Sequence, residues 1–566
     1  MRNKNISDNK YTIVFFMFVV LGAILFIYRA PFSTGGRDEP FFLSVAHRLT
    51  KGDALLSEEW HVSQLFSFVL YPIMKVYLLL TGTTEGIVLA FRYIYVAFHI
   101  IGTVCVYKCL SKWKLGGLLA SLYYLFYVPN NVMNFSYNTI GLVCTLLSLL
   151  LIAVPEKEKA WKYILSGVLF ALGVLACPHN VLMYIVYALM VFAVTLVKKK
   201  GNKDIALRGA DMKSLGYVTM GALLVAALFA VFVLSRATVR EILDNLPYIL
   251  SDSQHDTNVF KKIFWYPASL WITYGYMCLV WFVLVLVIIF DRKRQKRGLV
   301  YFIIASVTVL IELILKIQLH PDGHNAMMFP VVIWGFVAYM LLKDKNRTIF
   351  VYIYVGGLLF SLCKVLASSM NMEAIAVGGV VSGVASILFI IKYIQENEYA
   401  KHIKQGIIGM TVIVLSLQIV GEGYALFSNF IDAGSISDLR ITLSEGPLKG
   451  IKVSEESAYT EKVSLQDIHF IKDKEPGKIL FASNRTWYYF WADKEYAAPS
   501  CWINALDNNY VEILNNYYRL HPDKLPDYIY IAAGEGWDYT DIEEQAGKKN
   551  YKVIRTDRGC FLERVK

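Results

Sequence analysis

Two adjacent carboxylates, Asp38 and Glu39, follow the first long apolar run of the chain. Pro40 comes next and suits the first turn of a helix, and Phe41, Phe42, Val45, Ala46 and Leu49 then recur at helical spacing, so an amphipathic helix opens here. An acidic residue at that position has two readings. It can cap the helix, or it can accept a proton from a hydroxyl nucleophile at the membrane surface, where a carboxylate stays ionised and within reach of its target. A second cluster, His320, Asp322 and His324, sits in the short segment QLHPDGHN. It offers ligands to a divalent metal ion, a histidine contact to a lipid phosphate, or only a polar turn. His179 lies in the turn CPHN, as a solvated residue or a head-group contact, and Asn138 lies near the start of another apolar block, where helix capping is the simpler role. Arg92 follows the start of a further block. It can snorkel to head groups or hold a phosphate with its planar fork.

The elements that must position these residues are membrane spans. The chain has 566 residues, 56% of them hydrophobic, with a mean hydropathy of +0.46. The apolar excess falls in blocks of roughly 17–25 residues, the length that crosses a bilayer core. Thirteen spans are expected, near 11–29, 87–107, 115–128, 138–154, 163–177, 181–197, 215–235, 265–290, 299–317, 326–342, 348–366, 374–393 and 405–425. The first is read as a retained span, because it is longer than a signal-peptide core and no A-x-A site follows. Glu312 and Lys316, four apart in one span, read as a structural pair or a functional one. A further block, 65–80, carries Pro72 and Lys75 in its middle. Charge decides its placement. If it does not cross, the loops on the N-terminal side carry 23 Lys and Arg and the short loops opposite carry 4. That bias puts the N-terminus in the cytoplasm and makes 65–80 an interfacial helix on the outer face of the plasma membrane. The net charge of +11 is therefore a topology signal, and nucleic-acid binding is excluded as its explanation.

Two units follow: a multi-spanning domain over 1–429, with a first outer loop at 30–64, and a polar extracytoplasmic domain over 430–566. In the second, 478–483 and 527–532 read as buried strands, 508–520 as a helix and 551–564 as a hairpin, which makes a small α/β domain. Its aromatic residues fit a core or an interface, with sugar stacking as the alternative. Cys501 and Cys560 share this domain and can pair outside the cell.

The order of an outer Asp-Glu pair on an amphipathic helix, an interfacial apolar helix and a span bearing Arg92 resembles the GT-C glycosyltransferases, which use polyprenyl-phosphate-linked sugars. Protein O-mannosyltransferases and bacterial aminoarabinose transferases look alike over roughly residues 11–345. The resemblance implies a GT-C-like fold and an inverting transfer from a polyprenyl-phosphate sugar donor to a hydroxyl on a cell-surface glycan, lipid or protein. Asp38 becomes the base, Glu39 its partner, and His324, with Arg92 or His179, the donor-phosphate ligands; HNAMMFP and GVLACPHN carry the two histidine assignments. His320, Asp322 and Asn138 are left as substrate or metal contacts, Asn138 standing where the family has a second acidic residue. No cofactor is fixed beyond a divalent metal ion as one option. The Trp-Trp-Asp motif of oligosaccharyltransferases is absent, which argues against whole-glycan transfer to asparagine. The competing class is a transporter or flippase of a lipid-linked glycan, but no internal repeat is visible.

Overall fold

The apolar blocks fold as helices, because in a hydrocarbon medium a helix satisfies every backbone polar group within the segment. The computed structural model describes residues 2–565 apart from 37, 155–158, 200–206, 252–257, 318–322, 369–371, 429, 431–434, 504–508 and 536–537. Among the described residues ten helices are long and apolar enough to cross a membrane, and eleven if one bent pair counts as a single span. The ten include Gln64–Thr81, and each of the thirteen expected blocks is helical: nine are in this set, one is the bent pair and three are shorter helices. Tyr137–Ala153 and Ala160–Ala176 are helices of 17 residues each, and Leu115–Leu125 has only 11. Pro129 and Pro178 open the short turns that limit these helices, since proline cannot continue the backbone ladder. The block 265–290 bends by 110° between Val259–Tyr274 and Tyr276–Phe290. Gly275 at the break has φ +53 and ψ −128, a conformation that glycine adopts at least cost.

Met372–Glu396 is the axis of the bundle and its apolar window is wholly buried. Small residues let its neighbours approach. A Cβ added at Gly357 would lie 2.3 Å from Ser382 Oγ, and one at Gly335 2.1 Å from Ser386 Cβ. Glu312 and Lys316 form an ion pair, 3.5 Å apart, with Lys316 also donating to the Thr273 carbonyl at 2.6 Å.

Gln64–Thr81 is among the ten by length, yet its two flanks meet the same C-terminal domain. Before it, the Trp60 N–H donates to the Pro499 carbonyl at 2.6 Å; after it, Thr84 Oγ1 donates to the Phe490 carbonyl at 2.8 Å and the Gly86 N–H to the Gly446 carbonyl at 2.9 Å. Both flanks of this helix are thus bonded to one polar domain.

In that domain β1 (Ile441–Thr442) and β2 (Lys452–Val453) form a short ribbon. The main sheet contains β3 (Lys478–Ala482), β4 (Glu495–Tyr496), β5 (Tyr528–Ala532), β6 (Tyr551–Thr556) and β7 (Gly559–Arg564), in the order β4-β3-β5-β7-β6. β3 is parallel to β4 and β5, and β7 is antiparallel to β5 and β6. Cys501 and Cys560 are separate buried thiols, and Cys501 Sγ contacts Glu59 Oε2 at 3.7 Å.

The helix Asp38–Thr50 is buried over nearly its whole circumference because it lies between the bundle and this domain. Arg48 pairs with Asp53 at 2.5 Å and Glu59 at 3.0 Å, and Lys524 reaches Asp53 at 2.7 Å and Glu58 at 2.8 Å. His47 Nδ1 bonds the Tyr496 hydroxyl at 2.7 Å. Burial, then the nearby Lys51 charge, lowers the His47 pKa to about 3. A histidine depressed in the folded state contributes stability that is full above its unfolded pKa of about 6.5 and is lost as pH falls toward 3. Thermal stability should therefore decline below pH 6.5, by about 1.4 kcal/mol per pH unit, and His47→Gln should flatten that slope. An unchanged slope in the variant would show that His47 is not its source.

Candidate active site

Asp38 and Glu39 are adjacent but point in different directions from the helix start. Glu39 turns inward and is 1% exposed. Its carboxylate receives Arg92 Nε and Nη2, both at 2.7 Å, and Asn134 Nδ2 at 3.0 Å. Arg92 also donates to the carbonyls of Ala30 (2.5 Å), Phe32 (3.2 Å) and Ser33 (2.8 Å). All five guanidinium N–H groups are thereby engaged by protein, so none points at a substrate phosphate. Arg92 ties the first loop to the span Ile87–Leu110. Gly35, at φ +75, is required beside this clamp, since a Cβ there would lie 1.6 Å from Glu39 Oε2.

Asp38 is exposed. One turn further on, Phe42 packs edge-on against Tyr137, with ring centroids 5.5 Å apart. Tyr137 lies at the meeting point of several charges. Those of Asp38 and Glu373 both act on its hydroxyl, and Lys364 Nζ sits 4.7 Å from its ring centroid. Tyr137, Lys364 and Glu373 line a cleft of about 1290 Å³, together with Asn138, His179 and His61. Leu56, Leu65, Leu246, Ile249 and Leu250 complete an apolar wall.

Lys364 is the unusual group here. It is 3% exposed, and its ammonium has no hydrogen-bond partner among the described residues. A buried cation without a hydrogen-bonding or charged partner is costly, and an anion entering the cleft would relieve that cost. An apolar wall with a cation at its polar end suits an amphiphile whose head carries a phosphate.

The expected site residues thus separate. Asn138 and His179 line the cleft; Asp38 does not, although its charge reaches the lining residue Tyr137, and Glu39 and Arg92 pair with each other outside the lining. His324 is buried in the short helix Gly323–Ala326 and does not line the cleft. Its neighbour Asn325 connects to Tyr127 at 3.2 Å and, at 3.4 Å, to the cleft residue Asn130. His320 and Asp322 lie outside the described residues, among which no group of three His, Cys, Asp or Glu could hold a metal ion. Lys364 and Glu373 are not among the residues expected at the site, and Tyr137 is expected only at the start of a helix. Lys364 lay inside the apolar run LLFSLCKVLA, and its signal was that of any ionisable residue within a span.

No family model matches the chain, and the curated proteins give no match. Several solved structures resemble it. One is the Archaeoglobus fulgidus oligosaccharyltransferase tethered to an acceptor peptide, at 10% identity over 92% of this chain and 69% of that one, with a TM-score of 0.47. Another is the archaeal oligosaccharyltransferase AglB from Archaeoglobus fulgidus in complex with an inhibitory peptide and a dolichol-phosphate, at 9% identity over 98% and 74%, also with a TM-score of 0.47.

Proposed function

We propose that the chain is a membrane glycosyltransferase that moves a sugar from a polyprenyl-phosphate donor to an acceptor hydroxyl at the extracytoplasmic face. The observation that supports this most is the buried, unbonded Lys364 ammonium in a largely apolar cleft, beside Tyr137, which the charge of Asp38 reaches. The donor enters laterally, its phosphate toward Lys364 and His179. The acceptor oxygen attacks the anomeric carbon from the opposite side, and the bond from that carbon to the phosphate oxygen breaks. The phosphate leaves with the electron pair, Asp38 takes the acceptor proton, and the anomeric configuration inverts. Lys364 steadies charge that grows on the leaving phosphate. Glu39 and Arg92 are positioning residues that hold the helix start, and His324 supports the wall behind Asn130. The basic loops put the N-terminus in the cytoplasm, and with it the cleft and the C-terminal domain outside.

Lys364→Met tests the reading. A hydrogen bond to a charged group contributes about 1.5–3 kcal/mol, so transfer efficiency, kcat/KM for the donor, should fall roughly 10- to 100-fold. Removing an uncompensated buried charge should leave the thermal midpoint unchanged or raised, which separates this loss from misfolding. Unaltered donor kinetics would remove Lys364 from the site. Movement of the donor across proteoliposomes without bond cleavage would contradict the transferase reading.

A further inference from the structure

A second pocket, of about 980 Å³, lies where the interfacial helix meets the C-terminal domain. Lys51, Lys75 and Lys472 line it against a single carboxylate, Asp493, which Lys51 already holds at 2.5 Å. Neither Lys75 nor Lys472 has an acidic partner among the described residues, and Lys472 Nζ rests 4.2 Å from the centroid of the Trp491 ring. Trp491 is 8% exposed, and its Nε1–H, buried in the pocket wall, has no acceptor. Two lysines without acidic partners and a tryptophan with an unsatisfied donor therefore line the same space. His47 also lines it but is uncharged at neutral pH, as its depressed pKa requires.

The surroundings indicate what brings the anion. Leu78 and Leu79 form part of the wall, and the same helix leaves Leu79 77% and Leu80 81% exposed. Large apolar side chains on a helix that the loop charges place along the membrane face belong at the boundary of head groups and acyl chains. We propose that this pocket binds the phosphate head group of an anionic membrane lipid, whose acyl chains run beside Leu79 and Leu80. It is separate from the cleft that holds Lys364, and it anchors the C-terminal domain to the membrane surface.

The full chain in nanodiscs containing phosphatidylglycerol and phosphatidylcholine, extracted and analysed by native mass spectrometry, tests this. The wild type should retain phosphatidylglycerol in preference to phosphatidylcholine. Lys75→Gln with Lys472→Gln should lower that retention about 10- to 100-fold, since each basic side chain near an anionic surface contributes roughly a factor of five. The paired arginine variants should keep it, and Trp491→Phe should weaken it several-fold. Both lysines are exposed, so the variants should fold with an unchanged thermal midpoint. Equal retention in wild type and the glutamine pair would overturn the proposal. Complete displacement of the lipid by millimolar inorganic phosphate would also overturn it, because the site would then read phosphate without the lipid.

Discussion

Asp38→Asn lowers transfer from a lipid-linked sugar by about 10²–10⁴-fold, the range ascribed to a positioned general base, while the purified protein keeps its thermal midpoint. The second half of that expectation follows from exposure. Asp38 is at the solvent-facing start of its helix, and the buried network that ties the helix down belongs to Glu39, Arg48 and Asp53. Asparagine can still cap a helix start, so the local fold survives and the proton acceptor is lost. The loss should fall on kcat, because the base acts in the transition state and contributes little to donor binding. Asp38→Glu, which retains a carboxylate one methylene further out, should recover part of the rate. A variant Asp38→Asn with near-normal turnover would leave the acidic residue as a cap alone.

The second large effect concerns stability. Glu39→Gln or Arg92→Met should each destabilise the protein by about 3–5 kcal/mol, because removing one partner strands a buried charge. Arg92 also holds three loop carbonyls, so its loss should be the larger. The double variant should cost less than the two singles together, since Glu39 and Arg92 share one bidentate contact and close pairs do not add. Thermal or denaturant unfolding of the four proteins in one detergent gives the coupling energy. Additive losses would mean that the two residues act independently. If either variant also loses activity, the loss should follow the displacement of Asp38 and be partly restored at low temperature.

The contrast between Asp38 and Glu39 shows what was legible in the sequence. That the pair opens an amphipathic helix followed from Pro40 and the spacing of Phe41, Val45 and Leu49, and the helix begins at Asp38. Which acid meets solvent was not legible, because neighbours on a helix point about 100° apart and the choice depends on Arg92, 53 residues away. Arg92 looked available for phosphate only because its partners are distant in the chain. Lys364 was hidden for the opposite reason: its apolar neighbours made it part of a span, and only the folded arrangement brings it to Tyr137 and His179. In the C-terminal domain, the apolar runs of β3 and β5 and the turn between β6 and β7 were readable from local pattern. The helix Glu455–Lys472 was not, since it is polar around most of its surface and buries only a narrow stripe through Leu465, Ile468 and Ile471. The three short helices were legible as apolar blocks near 115–128, 138–154 and 163–177, but their lengths of 11, 17 and 17 residues were not.

The central claim is that one cleft brings a lipid phosphate to Lys364 and an acceptor to Asp38. A structure of the full chain in lipid nanodiscs with a polyprenyl monophosphate bound tests it most directly. The account expects the phosphate within hydrogen-bond distance of Lys364 Nζ, beside His179, with the prenyl chain along Leu65 and Ile249 and the Asp38 carboxylate facing the phosphate across Tyr137. A phosphate seated elsewhere, with Lys364 still without a partner, would contradict it.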